Sequence, residues 1–257
     1  MVLLNVEELS IRFGGILALD SVSFSVEKGE IFSIIGPNGA GKTTVFNCIT
    51  RVYEPIQGSI MVKGRDLMSM QPHQVISQGV ARTFQNLELF ATMTVMDNLL
   101  VGQHSRLPYN ILQAVFRLPK ASDQEKTGII RALEVLEFLG LSVYRDTPAA
   151  ALPYGIKKRV ELARAMVSRP DLLLLDEPAA GLTNEEVSGL AGVIRDLRDN
   201  QGVTILLVEH QMNLVMEVSD RVCVLDFGRK IAEGPPEQVR KDPAVVQTYL
   251  GSSGAST

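Results

Sequence analysis

Apolar and polar positions change their spacing twice along the chain. In the first third, short apolar runs alternate with turn residues. Val2–Val6 and Val22–Val26 read as strands, and Glu27-Lys28-Gly29-Glu30 as a turn. Ile31–Ile35 is a short apolar run, followed by a glycine-rich loop and then by Lys42–Thr50, which has helical character. From about Leu87 to Leu152 the strand signal disappears. Val95–Val101 and Gly128–Leu139 place apolar residues at helical spacing, with breaks at Leu107-Pro108-Tyr109 and Leu118-Pro119. This stretch reads as an inserted helical subdomain. The last third returns to alternating strand and helix. Leu172–Leu175 and Val203–Val208 are strongly apolar, as strands buried on both faces are, and Glu185–Arg198 between them is helical in composition. Arg221–Asp226 predicts a further strand that turns at Phe227-Gly228-Arg229 into Lys230–Ala232. Pro235-Pro236 opens a short helical tail, and Gly251–Thr257 is small, polar and expected to be mobile.

Composition narrows the class. Over 257 residues, 46% are hydrophobic and 21% charged, which predicts a globular chain of one or two domains and excludes wholesale disorder. Lys and Arg total 25 against 29 Asp and Glu, a net charge of −4. A field of that sign does not draw in a polyphosphate backbone, so no nucleic-acid partner is expected. Cys48 and Cys223 are too few for a disulfide framework and fit a reducing compartment, as buried small hydrophobes. Glu7 and Glu8 interrupt the apolar start, so no secretory signal is expected. No run approaches ~20 apolar residues, so any membrane role must come through a partner.

Two motifs carry chemistry on their own. Gly36-Pro37-Asn38-Gly39-Ala40-Gly41-Lys42-Thr43 matches G-x-x-x-x-G-K-[ST] between a predicted strand and a predicted helix. Glycines let backbone N–H groups turn inward around phosphates, and the helix N-terminus adds its positive end. Lys42 would bridge the β- and γ-phosphates, Thr43 would ligate Mg²⁺, and Thr44 would bond a phosphate oxygen. Leu172-Leu173-Leu174-Leu175-Asp176-Glu177 ends a buried strand in two acids, where open parallel sheets place their ligands. Asp176 would hold Mg²⁺ through water, and Glu177 would polarise the attacking water. A strand merely entering solvent also ends in acids; the phosphate loop makes chemistry the better reading.

Further residues fall in a recognisable order: Gln85 within Arg82-Thr83-Phe84-Gln85-Asn86, then Leu152-Pro153-Tyr154-Gly155-Ile156 ahead of Lys157–Ala165, and His210 just after Val203–Val208. With these the sequence resembles the ABC ATPase family nearly end to end: phosphate loop, Q-loop, signature, Walker B and switch histidine. The resemblance implies an α/β fold, a P-loop NTPase core with an N-terminal antiparallel β subdomain and an inserted helical subdomain. It implies one ATPase domain over 1–257, with a nucleotide-binding core at 1–86 and 157–250, a helical subdomain with the signature loop at 87–156, and a tail at 251–257. It also implies ATP and Mg²⁺ as ligands.

By the same resemblance, Glu177, His210, Gln85 and Lys42 form the catalytic set. Phe13 stacks on adenine, with a core phenylalanine as the alternative. Gly36, Pro37, Asn38, Gly39, Ala40, Gly41, Lys42, Thr43 and Thr44 bind the nucleotide from one subunit, and Leu152, Pro153, Tyr154, Gly155 and Ile156 from the facing subunit. Thr43, Gln85 and Asp176 serve the metal, and His210 bonds the γ-phosphate. The signature departs from Leu-Ser-Gly-Gly-Gln: Pro153, Tyr154 and Ile156 replace serine, glycine and glutamine. Proline offers neither hydroxyl nor N–H, and one lost bond to phosphate costs on the order of 1.5–3 kcal/mol. Thr183 stands where the family usually has an aspartate. Lys157-Lys158-Arg159 reads as a solvated helix face.

Ile11-Arg12-Phe13-Gly14-Gly15, Ala81–Leu87 with Phe90, Val95–Leu99, an insertion near Gln103–Lys120, Pro178–Leu182, Val208–Met212, and Gly234–Glu237 through Tyr249-Leu250-Gly251 resemble the ATP-binding subunits of branched-chain amino acid importers. This implies a head-to-tail dimer with a second, different ATPase, two integral-membrane permease subunits, a solute-binding protein reached through them, and a cytoplasmic place on the inner face of the cell membrane. The solute itself does not follow. The alternatives are an exporter or lipid-extraction ATPase, a non-transport ABC protein, and a stand-alone phosphotransferase.

Overall fold

The computed structural model describes residues 1–83, 88–103 and 119–251. Gln85, most of the insertion near Gln103–Lys120, and the tail from Ser252 lie outside them. The chain forms two compact units, Met1–Arg82 with Asp171–Thr257, and Thr83–Pro170.

The first unit contains β1 (Val2–Phe13), β2 (Ile16–Glu27), β3 (Ile31–Ile35), α1 (Lys42–Ile49), β4 (Gln57–Val62), β5 (Arg65–Asp66), α2 (Pro72–Val75) and β6 (Val80–Arg82). The second contains α3 (Val95–Gln103), α4 (Pro119–Phe138) and α5 (Tyr154–Met166). The chain then returns to the first with β7 (Leu172–Asp176), α6 (Asn184–Asp199), β8 (Thr204–Val208), α7 (Met212–Val218), β9 (Arg221–Asp226), β10 (Arg229–Gly234), α8 (Pro236–Val239) and α9 (Pro243–Gly251).

Two sheets organise the first unit. One is antiparallel, in the order β2-β1-β4-β5; the other runs β10-β9-β3-β8-β7-β6. In the second sheet β9, β3, β8, β7 and β6 are parallel, and β10 pairs antiparallel at the edge. Every residue of β3, β7 and β8 is buried, which accounts for their largely apolar sequences. Leu4, Leu9, Phe32, Phe46, Leu174 and Leu206 belong to the core that joins the two sheets. Because β3, β8 and β7 are neighbours, their C-terminal ends deliver Gly36, Val208 and Asp176 to one edge.

Strands Ile31–Ile35 and Arg221–Asp226 form as the apolar pattern predicts. β1 and β2 run well beyond the predicted Val2–Val6 and Val22–Val26. Register shifts interrupt their pairing, and Glu8 (φ 48°) and Ser21 (φ 50°) take left-handed conformations, so the alternation that marks a strand is lost there. Pro119 opens α4, although it reads as a break, because a proline in the first helical turn gives up an N–H that has no intrahelical partner.

In the second unit the buried Asn98 on α3 orders the segment before it. Its amide donates to the Phe90 carbonyl at 3.1 Å and the Thr94 carbonyl at 2.9 Å, and its oxygen accepts from Phe90 N at 2.8 Å. Nearby, the Gln103 amide donates to the Gly128 carbonyl at 2.7 Å, joining α3 to α4.

Candidate nucleotide site

The phosphate loop leaves β3 at Gly36 and enters α1 at Lys42. Two of its glycines are required by space. A Cβ on Gly36 would lie 2.1 Å from the Leu225 carbonyl oxygen, and one on Gly41 would lie 2.7 Å from Leu19 Cδ2. Gly36 (φ 151°) and Gly41 (φ 101°) also hold backbone angles that L side chains rarely adopt. The turn between β9 and β10 supports the loop from outside. Gly228 N donates to the Ala40 carbonyl at 3.1 Å, and Asp20 N donates to the Gly228 carbonyl at 2.9 Å.

Lys42 is buried, and its ammonium donates to the Gly36 and Pro37 carbonyls at 2.8 and 2.9 Å. Burial lowers its pKa, and the carboxylates of Glu177, Asp176 and Glu209 work in the opposite direction. The cation therefore lies in a field of three acids and is held over the loop by backbone oxygens. Thr43 is exposed and Thr44 half-buried at the start of α1, where N–H groups have no intrahelical acceptor. Such a loop can receive an anion on Lys42 and the helix terminus.

Asp176 is 1% exposed at the end of β7. Its Oδ2 accepts from Arg82 at 2.7 Å, while its buried Oδ1 has no hydrogen-bond partner among the described residues. An orphaned carboxylate oxygen beside a phosphate loop fits a hydrated divalent cation, and the exposed Thr43 hydroxyl adds a second oxygen donor. No cluster of three or more acidic, His or Cys ligands occurs among the described residues.

Glu177 follows in a left-handed conformation (φ 47°), a departure that costs about 1–2 kcal/mol for an L residue. Its N–H donates to the Val208 carbonyl at 2.8 Å, which ties this turn to β8. Strain that aims a carboxylate into a polar site belongs with function more than with packing. His210 is half-exposed, with Nδ1 3.8 Å from Glu177 Oε2 and 3.7 Å from Glu209 Oε2. The structure thus brings Lys42, Asp176, Glu177 and His210 together.

Sequence reasoning gave Glu209 and Arg82 no roles of their own. Glu209 is fully buried. Its Oε1 accepts from Ala179 N at 2.9 Å, and its Oε2 from His210 N at 2.8 Å and Gln211 N at 2.9 Å. It joins the loop after Glu177 to the loop carrying His210. An acid directly after the apolar strand Val203–Val208 was the available signal.

Phe13 is 44% exposed at the tip of the β1–β2 hairpin, with its ring edge-on to Tyr53 at 4.9 Å between centroids. That sets aside the core-phenylalanine alternative. Thr183 is the N-cap of α6, paired reciprocally with Glu186, so its side chain is used in helix initiation. Cys48 and Cys223 are buried, as expected, and burial pushes both thiols up to about 12.

The signature residues lie in the second unit. Leu152 is buried, Pro153 is the N-cap of α5, and Tyr154 is exposed. Gly155 and Ile156 are half-buried in the first turn of α5. The helix therefore starts at the proline, as its missing N–H allows. The basic run departs from a simple solvated face: Lys158 is buried, with Nζ 6.0 Å from the Tyr154 ring centroid and 4.0 Å from Glu161 Oε2.

Comparison with known proteins agrees with this geometry. Residues 19–180 match the ABC transporter family, and residues 229–255 match the branched-chain amino acid ATP-binding cassette transporter family. The chain is 44% identical to the high-affinity branched-chain amino acid transport ATP-binding protein BraF of Pseudomonas aeruginosa, over 98% of both chains. It is also 44% identical to LivG of Escherichia coli, of the same description, over 98% of both. A solved ATP-binding cassette of an ABC transporter in its ADP conformation superposes with a TM-score of 0.86 at 34% identity, covering 98% of this chain and 99% of that one. A nucleotide-free cassette gives 0.85 at 34% identity, covering 97% and 99%. With its phosphate loop, its strand-end acids and His210 assembled on this fold, the chain belongs to the ATP-binding cassette proteins of the ABC transporter family.

Proposed function

We propose that this chain is the ATP-hydrolysing subunit of an importer for branched-chain amino acids or related small polar solutes, working through separate membrane subunits. One observation carries the reading: a phosphate loop and the acids Asp176 and Glu177 reach one sheet edge in a chain whose full-length relatives are named for branched-chain amino acid transport. No described helix is long and apolar enough to cross a membrane. The place of action is the inner face of the cell membrane. The chain acts as one cassette, with 87–156 as its helical part.

Lys42 and backbone N–H groups of the loop Gly36–Thr44, other than Pro37, bind and orient the phosphates. Thr43, Asp176 and Gln85 would hold Mg²⁺, whose chemistry is to neutralise charge on the transferring phosphoryl group. Glu177 takes the proton of the attacking water, and His210 holds the γ-phosphate. Two cassettes face each other head to tail, so that Leu152–Ile156 of one completes the site of the other. Pro153 withholds a side-chain donor and an N–H there, which favours a second, different ATPase with a fuller signature as the partner. ATP binding closes the pair and hydrolysis reopens it.

The test is co-purification. Tagged Glu177→Gln is expressed in the native host and membranes are solubilised with ATP present. Two multi-spanning permeases, a second ATPase and a solute-binding protein are the expected partners. Recovery with ribosomes, with DNA-repair proteins or with nothing from the membrane would overturn the transport reading.

A further inference from the structure

Arg82 ends β6 and is 9% exposed. Its guanidinium works as a two-armed clamp. One arm, Nη2, donates to Asp176 Oδ2 at 2.7 Å. The other, Nη1, donates to Asn47 Oδ1 at 2.7 Å and to Thr50 Oγ1 at 3.3 Å, both on or next to α1. Its carbon lies 5.5 Å from the ring centroid of Phe46, also on α1. The helix that carries Thr43 in its first turn and the strand that ends in Asp176 are therefore tied through one rigid, planar cation. The same clamp occupies Asp176 Oδ2, while the buried Oδ1 has no hydrogen-bond partner among the described residues.

A buried ion pair by itself is poor evidence of stabilisation, since apolar residues often replace one at no cost. This pair does something an apolar residue cannot: it sets which carboxylate oxygen is free and how far it sits from the α1 terminus. We propose that Arg82 is a positioning residue for magnesium–nucleotide binding, fixing Asp176 Oδ1 relative to Thr43. The proposal rests on the metal reading of Asp176 given above.

Arg82→Lys separates geometry from charge. Lysine keeps the cation, so the charge facing the metal is unchanged, but one ammonium cannot hold both arms. Partners that orient a metal ligand are worth about 10- to 100-fold in metal affinity, so the shift should be of that order. Binding of N-methylanthraniloyl-ATP is followed by fluorescence on the purified chain, first with EDTA and then across a Mg²⁺ titration. Arg82→Lys should raise the Mg²⁺ midpoint about tenfold and leave metal-free nucleotide affinity within about twofold. Asn47→Ala, a milder change that loosens only the α1 arm, should move the midpoint in the same direction by less.

If Asp176→Asn shifts the Mg²⁺ midpoint and neither Arg82→Lys nor Asn47→Ala does, the role of Arg82 is refuted. If metal-free binding weakens in step with the Mg²⁺ response, Arg82 is only a packing element of the pocket, and the proposal is equally overturned. If Asp176→Asn itself shifts nothing, the metal reading of Asp176 has failed.

Discussion

Glu209 offers a quantitative test of how the switch loop is held. Its carboxylate is fully buried and accepts three backbone N–H bonds, from Ala179, His210 and Gln211, at 2.8–2.9 Å. In Glu209→Gln the amide oxygen can serve the two donors at His210 and Gln211, but the amide NH₂ then faces the Ala179 N–H. One bond is lost and two lose their charge assistance, about 2 kcal/mol together. For a chain of this size that is a fall in melting temperature of about 4–8 °C. Glu209→Ala strands all three donors in a dry site and should cost about 3–6 kcal/mol. Thermal unfolding followed by circular dichroism at pH 7 reads both. Glu209→Gln should also slow hydrolysis, because the backbone of His210 and the loop after Glu177 lose their common anchor. A melting temperature within about 1 °C of wild type would refute the reasoning, since the cost of burying the charge would then cancel what the bonds return.

Other predictions follow from the same geometry. Glu177→Asn should stabilise the fold by about 1 kcal/mol in urea while abolishing hydrolysis, because asparagine tolerates the left-handed backbone better; a less stable variant would count against strain at this turn. Cys48 and Cys223 ionise near 9 when unfolded but only near 12 in the fold, so the native state keeps protons that the unfolded state has released. Their contribution is complete below pH 9 and is lost as pH rises towards 12; a Cys48→Ala, Cys223→Ala variant should show a shallower alkaline decline in urea midpoint, and an unchanged slope would contradict the assignment. Pro153→Ser supplies an N-cap hydroxyl and an N–H at the start of α5. It should stabilise the chain by about 1 kcal/mol and tighten ATP-dependent cassette pairing, as sedimentation would detect; unchanged pairing would show that Pro153 does not face the nucleotide.

What the sequence made legible is mostly local. Gly36–Thr43 could be read because phosphate binding needs glycines, lysine and a hydroxyl at fixed spacing on consecutive residues. β3, β7 and β8 could be read because both faces of each are buried. What escaped depends on distant partners. The Glu209 carboxylate reaches Ala179, 30 residues away, and Arg82 reaches Asp176, 94 away, so neither pairing has a sequence signature. β4 escaped because only one face of its C-terminal half is buried, and it begins at Gln57 and Gly58. Thr183 has a local use that comparison with an expected aspartate does not bring out: together with Glu186 it forms a capping box.

The central claim is that Glu177 activates water for hydrolysis of an ATP held by Lys42 and the phosphate loop. The most direct measurement is ATP turnover beside ATP binding in the purified transporter complex, wild type against Glu177→Gln. Binding unchanged within about twofold with turnover reduced by at least about a hundredfold is the predicted result. Turnover near wild type would contradict it.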